Sequence, residues 1–294
     1  MSENFQGNIP VSMAKQVFRG MESGRTDFVK QAVVDKGLPV RDEGDLPVSS
    51  NSEILFGKFP EEYAVKGLLH DAAVNLYARE QDFRDLGVDP SEQEIIELLE
   101  GSIDGTGSAT PELRHRVNEL ETKYDLRPDE LLQYSFGDRT VSDMLQELAE
   151  HRSRNWQQDT AGFSSIEAEV PVFQRGLSGR MDLVLSGEQD QVRELKMKDS
   201  GSREDEFQAS AYWLIAEGEP EIVLEYPLTD ERLSFDPDSD VNDFDPREYA
   251  FDVYRSRDRA VELVEELRGL QSKYFDFYDS REKATREALK ELEV

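Results

Sequence analysis

Residues 176–212, GLSGRMDLVLSGEQDQVRELKMKDSGSREDEFQASAY, decide the reading of this chain. The hexapeptide 180–185, RMDLVL, is apolar around a single acid, Asp182, and is bounded by polar turn residues, the pattern of a buried strand. Residues 186–191, SGEQDQ, read as a turn, and VRELKMK as a second short strand. Side chains alternate along a strand, so Glu194 and Lys196 share one face while Leu195 points to the other. Strands joined by a tight turn are neighbours, which lets Asp182 and Glu194 converge, and two carboxylates that close repel unless a cation sits between them. A lysine at the same place supplies a donor able to orient a water and meet negative charge on an oxyanion. The triplet E-x-K equally describes a plain salt bridge. The next element bears on that choice: Gln208 and Tyr212 lie four apart on an amphipathic stretch and stack on one stripe, while Phe207, Ala211, Leu214 and Ile215 make the buried one.

The succession G-x-x-D (Gly179, Asp182), E-x-K (Glu194, Lys196) and Q-x-x-x-Y (Gln208, Tyr212) resembles the PD-(D/E)XK nuclease superfamily, and among its branches the RecB-like exonucleases, which include the CRISPR-adaptation nucleases. That branch carries a further histidine ligand in a G-x-x-H setting on an upstream helix, and GLLH supplies Gly67 and His70. The resemblance covers residues 61–83 and 166–227. It implies an α/β fold in which a restriction-endonuclease-like mixed sheet is flanked by helices. It also implies Mg²⁺ or Mn²⁺ bound by His70, Asp182, Glu194 and the carbonyl of Leu195, with Lys196, Gln208 and Tyr212 completing the catalytic set. DNA is the implied substrate, in repair, recombination or defence, with a helicase or other repair and recombination proteins as partners. Many relatives hold an iron-sulfur cluster on four cysteines; this chain has no cysteine, which removes the cluster.

A chain of 294 residues suits one large domain or two modest ones. Its net charge of -30, with 11 lysines and 23 arginines against 64 acids, looks like the composition of proteins from salt-loving organisms. In molar salt the Debye length is about 3 Å, so self-repulsion is screened and carboxylates hold hydration. Counterion release, the usual source of affinity for DNA, shrinks under the same conditions. Negative charge therefore leaves nucleic acid open as a partner, and leaves open a non-catalytic acidic binding or assembly subunit on the same fold. With no apolar run of about 20 residues and no secretion-signal pattern at the N-terminus, a cytoplasmic protein without a membrane span is expected.

Along the chain, VSMAKQVFRGM and TDFVKQAVV read as two short helices, and residues 37–60 as an irregular connection rich in Gly, Pro, Ser and Asp. Residues 1–60 thus form N-terminal helices and a leader. A broad apolar stripe from Val65 to Tyr77 makes a helix with His70 at its margin. The nuclease core takes residues 61–83 and 161–294, and residues 84–160, almost wholly helical in pattern, form an insertion placed to act as a lid or DNA-guiding unit. Within it Arg114, Arg116, Arg152, Arg154 and Trp156 are the candidates for a phosphate-and-stacking surface, or simply exposed helix charges. His115 and His151 lie in charged helix surfaces and carry no assigned chemistry. Strands are expected at 166–175, at 221–228 and at YAFDVYR (249–255). The acidic run FDPDSDVNDFDP is no EF-hand, since Val241 and Arg247 stand where Gly and Glu are required.

Overall fold

The computed structural model of the chain describes residues 8–37, 61–87, 89–160, 162–275, 277–278 and 280–294. Its elements run β1 (Ile9–Pro10), α1 (Val11–Ser23), α2 (Thr26–Gly37), α3 (Glu61–Leu86), α4 (Glu92–Asp104), α5 (Pro111–Tyr124) and α6 (Pro128–Leu132). The pair β2 (Ser135–Phe136) and β3 (Arg139–Thr140) follows, then α7 (Val141–Thr160), β4 (Phe163–Gln174), β5 (Leu177–Gly187), β6 (Gln191–Leu195) and α8 (Arg203–Ile215). The chain continues through β7 (Glu221–Tyr226), β8 (Glu231–Phe235), a 3₁₀ turn at Pro246–Tyr249, α9 (Ala250–Phe275) and α10 (Arg281–Glu291). The fold is mixed α/β, a mixed sheet flanked by helices. Of the irregular connection expected at 37–60, Gly37 ends α2 and the remainder lies outside the described residues. No helix among the described residues is long and apolar enough to cross a membrane.

The sheet divides at its centre. β4 and β5 form a long antiparallel hairpin, in register from Phe163↔Gly187 to Gln174↔Leu177. A strand has two edges, so with β4 along one, β6 and β1 must share the other. β6 pairs antiparallel with the C-terminal half of β5, up to Leu183↔Arg193, and β1 pairs parallel with its start at Ile9↔Leu177 and Pro10↔Ser178. Between them, residues 179–182 of β5 face no strand on that side among the described residues. β7 then runs parallel to β6, and β8 antiparallel to β7.

Each face of the sheet has its own core. One joins α1, α2, α8 and α9 to Val192, Ile222 and Leu224; Phe18 stacks on Phe207 there, with ring centroids 4.4 Å apart. The other joins α3 through α7 to Leu183, Leu185 and Leu195. Leu99, Leu120 and Leu145, from the expected insertion, are fully buried in this second core, so residues 84–160 pack as one layer of the fold. Along β4, Ile166 and Ala168 pack on the second core while Val170 and Val172, of the same parity, pack on the first. The reversal falls at Glu169, whose φ of 54° interrupts the regular alternation directly across from the Asp182 region of β5.

Two expectations are corrected. The stretch 249–255 is not a strand: Asp245 caps the turn at Arg247 N, Pro246 opens it, and α9 follows. The period-two look of Tyr249, Phe251 and Val253 is accidental, because Phe251 is 74% exposed while Val253, Ala260, Leu263, Val264 and Leu267 form the helical stripe. The second concerns α7. Arg152 and Trp156 are buried, with the Arg152 guanidinium over the Tyr77 ring at 4.5 Å and the Trp156 ring at 5.4 Å, so they offer no surface for phosphate or bases. Arg154 remains exposed and pairs with Asp230 at 3.1 Å. His151, far from lying on a charged surface, is also buried and bridges Glu225 and Asp230, each at 2.5 Å. Glu225 is wholly buried among Tyr77, His151, Arg193 and Arg232. Burial pushes its carboxyl up, but Arg193, His151 and Arg232 together hold it well below the usual carboxylate range.

Removing that carboxylate leaves Arg193 buried without its counter-charge. Glu225→Ala is expected to lose about 3–5 kcal/mol of stability, read from the urea midpoint. Arg232→Ala, at the half-buried end of the same cluster, is expected to lose less, because Arg193 and His151 still face Glu225.

Candidate functional site

The fork between β6 and β1 organises the polar residues that the sequence singled out. Where strands part, backbone N–H groups lose their partners and must find others. Two carboxylates serve here: Leu195 N donates to Asp182 Oδ2 at 2.8 Å, and Asp182 N to Glu194 Oε1 at a long 3.4 Å. Asp182 and Glu194 therefore converge, as their places on adjacent strands implied. Lys196 follows the end of β6 and places Nζ 3.1 Å from Glu194 Oε2.

α8 supplies the next group. Gln208 Nε2 donates to Glu194 Oε2 at 3.1 Å, while its Oε1 accepts from Lys196 Nζ at 3.3 Å and from Lys15 Nζ at 2.7 Å. With an acceptor at one end and two ammonium donors at the other, the amide has one satisfying orientation. Tyr212, one turn on, lies against Gly179. A Cβ at residue 179 would stand 2.5 Å from Tyr212 Cε1, so glycine there is a packing requirement of the ring.

α3 approaches from the opposite core. His70 Nε2 lies 3.1 Å from Asp182 Oδ2 and Nδ1 3.4 Å from Asp71 Oδ1. Both ring nitrogens face carboxylates, so the imidazolium form satisfies the site. Asp71 is tied in turn to Arg116 Nε at 3.1 Å, and a Cβ at Gly67 would press on that guanidinium at 3.2 Å. The G-x-x-H spacing thus leaves room for an arginine from α5. Arg116, one of the candidate phosphate contacts, pairs with Asp71 and Glu119 beside His70.

The charges follow from these contacts. For His70, burial pulls the pKa down, but Asp182 outweighs it through charge and hydrogen bond, and with Asp71 raises it to about 10. Burial pushes Asp182 up, and His70 and Lys196 more than reverse that, leaving it below its ordinary value. Glu194, fully buried and beside the Asp182 charge, is pushed up to about 7 despite Lys196. Burial lowers Lys196, but Glu194, Asp182 and Asp205 raise it above its ordinary value, so it stays cationic. Burial, aided by Glu194 and Asp182, holds the Tyr212 phenol far above its ordinary value and keeps its proton in place.

Two further neighbours, Lys15 and Asp205, were not foreseen. Lys15, on α1, reaches Gln208 and lies 3.9 Å from Asp205; burial and Lys196 push it down to about 8. Asp205 closes the capping box of α8 with Ser202 and also takes Lys198 and Tyr226 as partners. The S-x-x-D spacing of Ser202 and Asp205 is a helix-start signal that could have placed Asp205, whereas Lys15 left no such signal. Arg114 and His115 are exposed and apart from this group.

The donor set of two carboxylates, an imidazole and the neighbouring Leu195 backbone suits a hard divalent cation. Among the described residues, however, no three His, Asp or Glu side chains already stand as a coordination shell. His70 and Lys196 instead occupy the carboxylates. No family model matches this chain, and no curated protein is significantly similar to it.

The His70–Asp182 pair makes a pH prediction for the metal-free protein. With a folded pKa of about 10 above the ordinary 6.5, the imidazolium contributes stability that is complete below pH 6.5 and is lost as pH rises toward 10. The difference in melting temperature between wild type and His70→Ala is expected to be widest at pH 6 and to close by pH 10. A difference independent of pH would remove the ion pair.

Proposed function

We propose that this chain is a divalent-metal-dependent DNA nuclease, most plainly an exonuclease, with a restriction-endonuclease-like core. The observation that carries the reading is the convergence at the strand fork of Asp182, Glu194 and Lys196, faced by His70 and braced by Gln208. The order of elements supports it: helix α3, the antiparallel strands β4, β5 and β6, helix α8, then β7 parallel to β6. The likeness to RecB-like nucleases rests on the matching residues alone.

Asp182, Glu194, the carbonyl of Leu195 and His70 would hold Mg²⁺ or Mn²⁺, with His70 giving up its proton on ligation. The bound cation would polarise a phosphoryl oxygen, acidify a water and stabilise the leaving oxygen. Lys196 is the donor for the attacking water and for charge that builds on phosphate. Gln208 fixes the lysine by accepting from it while holding Glu194. Tyr212, its phenol protonated, packs beside Gln208 and seals the site against Gly179.

One observation favours a second reading. The pairs His70–Asp182 and Lys196–Glu194 satisfy one another without any cation, as they would in a non-catalytic acidic binding or assembly subunit. The two readings part on measurement. Under the first, Asp182→Ala and Glu194→Ala abolish Mn²⁺ binding by calorimetry and cleavage of end-labelled linear DNA in molar KCl. Lys196→Met leaves DNA affinity in Ca²⁺ nearly intact and lowers the single-turnover rate by roughly 10²–10³-fold. His70→Ala weakens Mn²⁺ binding more than Mg²⁺ binding, since imidazole prefers the softer ion. Absence of cleavage by wild type with either metal, together with unchanged Mn²⁺ affinity in both acid variants, would leave the second reading.

A further inference from the structure

Beside the fork lies a cleft of about 800 Å³, whose walls include Leu195, Lys196 and His70. Its charge runs against the rest of the molecule. The chain holds 34 Lys and Arg against 64 Asp and Glu, yet this lining carries five lysine and arginine side chains, Lys15, Lys66, Arg139, Lys196 and Lys198, against the acids Glu62, Asp199 and Asp205. Four of the chain's 11 lysines are gathered here. Composition alone would have scattered them.

The far rim is the β2–β3 hairpin, whose two strands are joined by the Gly137-Asp138 pair. Its tight turn uses Gly137 at φ 62°, a conformation that favours glycine. Phe136 and Arg139 are register partners, so their side chains project on the same side of the hairpin, a half-buried ring, packed in part on the second core, beside a guanidinium. Tyr134 braces the Phe136 ring edge-on at 5.3 Å, and Lys66 Nζ stands 5.6 Å from its centroid. Arg139 is held by Glu147 at 2.9 Å and Asp199 at 2.7 Å, and Lys66 by Glu62 at 2.6 Å. Such partly exposed pairs contribute little and exchange readily for a phosphate.

We propose that this hairpin grips a single-stranded end of DNA, with a base stacked on Phe136 and the adjoining phosphates on Arg139 and Lys66, so that the strand is led to Lys196. The inference rests on the nuclease reading for the fate of the strand, though not for its binding. The chemistry is that of single-strand recognition, aromatic faces alternating with cations. The size argues the same way. A cleft of this volume matches small-ligand pockets of about 300–1,000 Å³ and takes a few nucleotides, whereas duplex DNA has a major groove alone about 12 Å wide. In a duplex, moreover, the base faces are stacked on one another and cannot meet a phenyl ring.

The test uses the full chain in molar KCl with Ca²⁺, and a dT₁₂ oligonucleotide carrying 2-aminopurine near one end as the probe, beside a blunt duplex of the same length. Phe136→Ala is expected to weaken single-strand binding roughly ten- to a hundredfold and to remove stacking quench of the probe, with duplex and Mn²⁺ binding unchanged. Phe136→Trp is expected to restore both affinity and quench. Arg139→Gln is expected to weaken single-strand binding and flatten its dependence on salt, which keeps the proposal testable if Phe136→Ala folds poorly. Single-strand affinity within twofold of wild type in folded Phe136→Ala and Arg139→Gln, or equal losses for strand and duplex, would overturn it. Because binding is read without cleavage, a wild type that binds dT₁₂ through Phe136 but cuts nothing would defeat the nuclease reading and leave this one standing.

Discussion

The structure turns on the parting of β6 from β5. A sheet whose strands stayed paired along their whole length would leave no place for two acids between its layers. Here β6 follows β5 for three residue pairs and then leaves, and the N–H groups at the parting are met by the carboxylates of Asp182 and Glu194. The demand for backbone hydrogen bonds and the gathering of charge are thus one event. The acids sit where they do because the main chain needs acceptors, and they are strained electrostatically because two like charges converge with little exposure to solvent.

Each core contributes to relieving that strain. His70 arrives from the layer of α3 to α7, and Gln208 and Lys15 from the layer of α1, α2, α8 and α9. Between the layers, Glu225 binds β7 to α7 through His151 and to β6 through Arg193. β6 is therefore anchored by a buried ion cluster at Arg193 and opens onto the fork one residue later, at Glu194. Such a cluster is weak ground for stability, since a hydrophobic replacement of all its members would serve as well. Its value lies in fixing where β6 ends.

What the sequence disclosed and what it hid follow from the range of the interactions. Asp182, Glu194 and Lys196 could be brought together on paper because one short turn joins their strands, and alternation does the rest. Gln208 and Tyr212 followed from helical spacing. His151 was misread because its partner Glu225 is 74 residues away and its own helix shows charged neighbours on both sides. Arg152 and Trp156 failed for the same reason: a long side chain in a charged run looks exposed until an aromatic from α3 is placed beneath it. The strand expected at 249–255 shows the opposite error, a local alternation overruled by a stripe that only a longer window reveals. Lys15 belongs to neither kind. Nothing in a lysine on an amphipathic helix says that it will meet a glutamine 193 residues later.

That last separation has a consequence for the living chain. Synthesis makes α1 long before α8, so Phe18 cannot find Phe207, nor Lys15 its glutamine, until α8 has left the ribosome. β1 likewise waits for β5. Contacts this distant in sequence form slowly and late, so the nascent polypeptide carries α1 with only α2 to cover its apolar face until α8 has been made. The polar group of such a protein assembles late: it is not complete until the segments that bear Lys15 and Gln208 have both been made and have met.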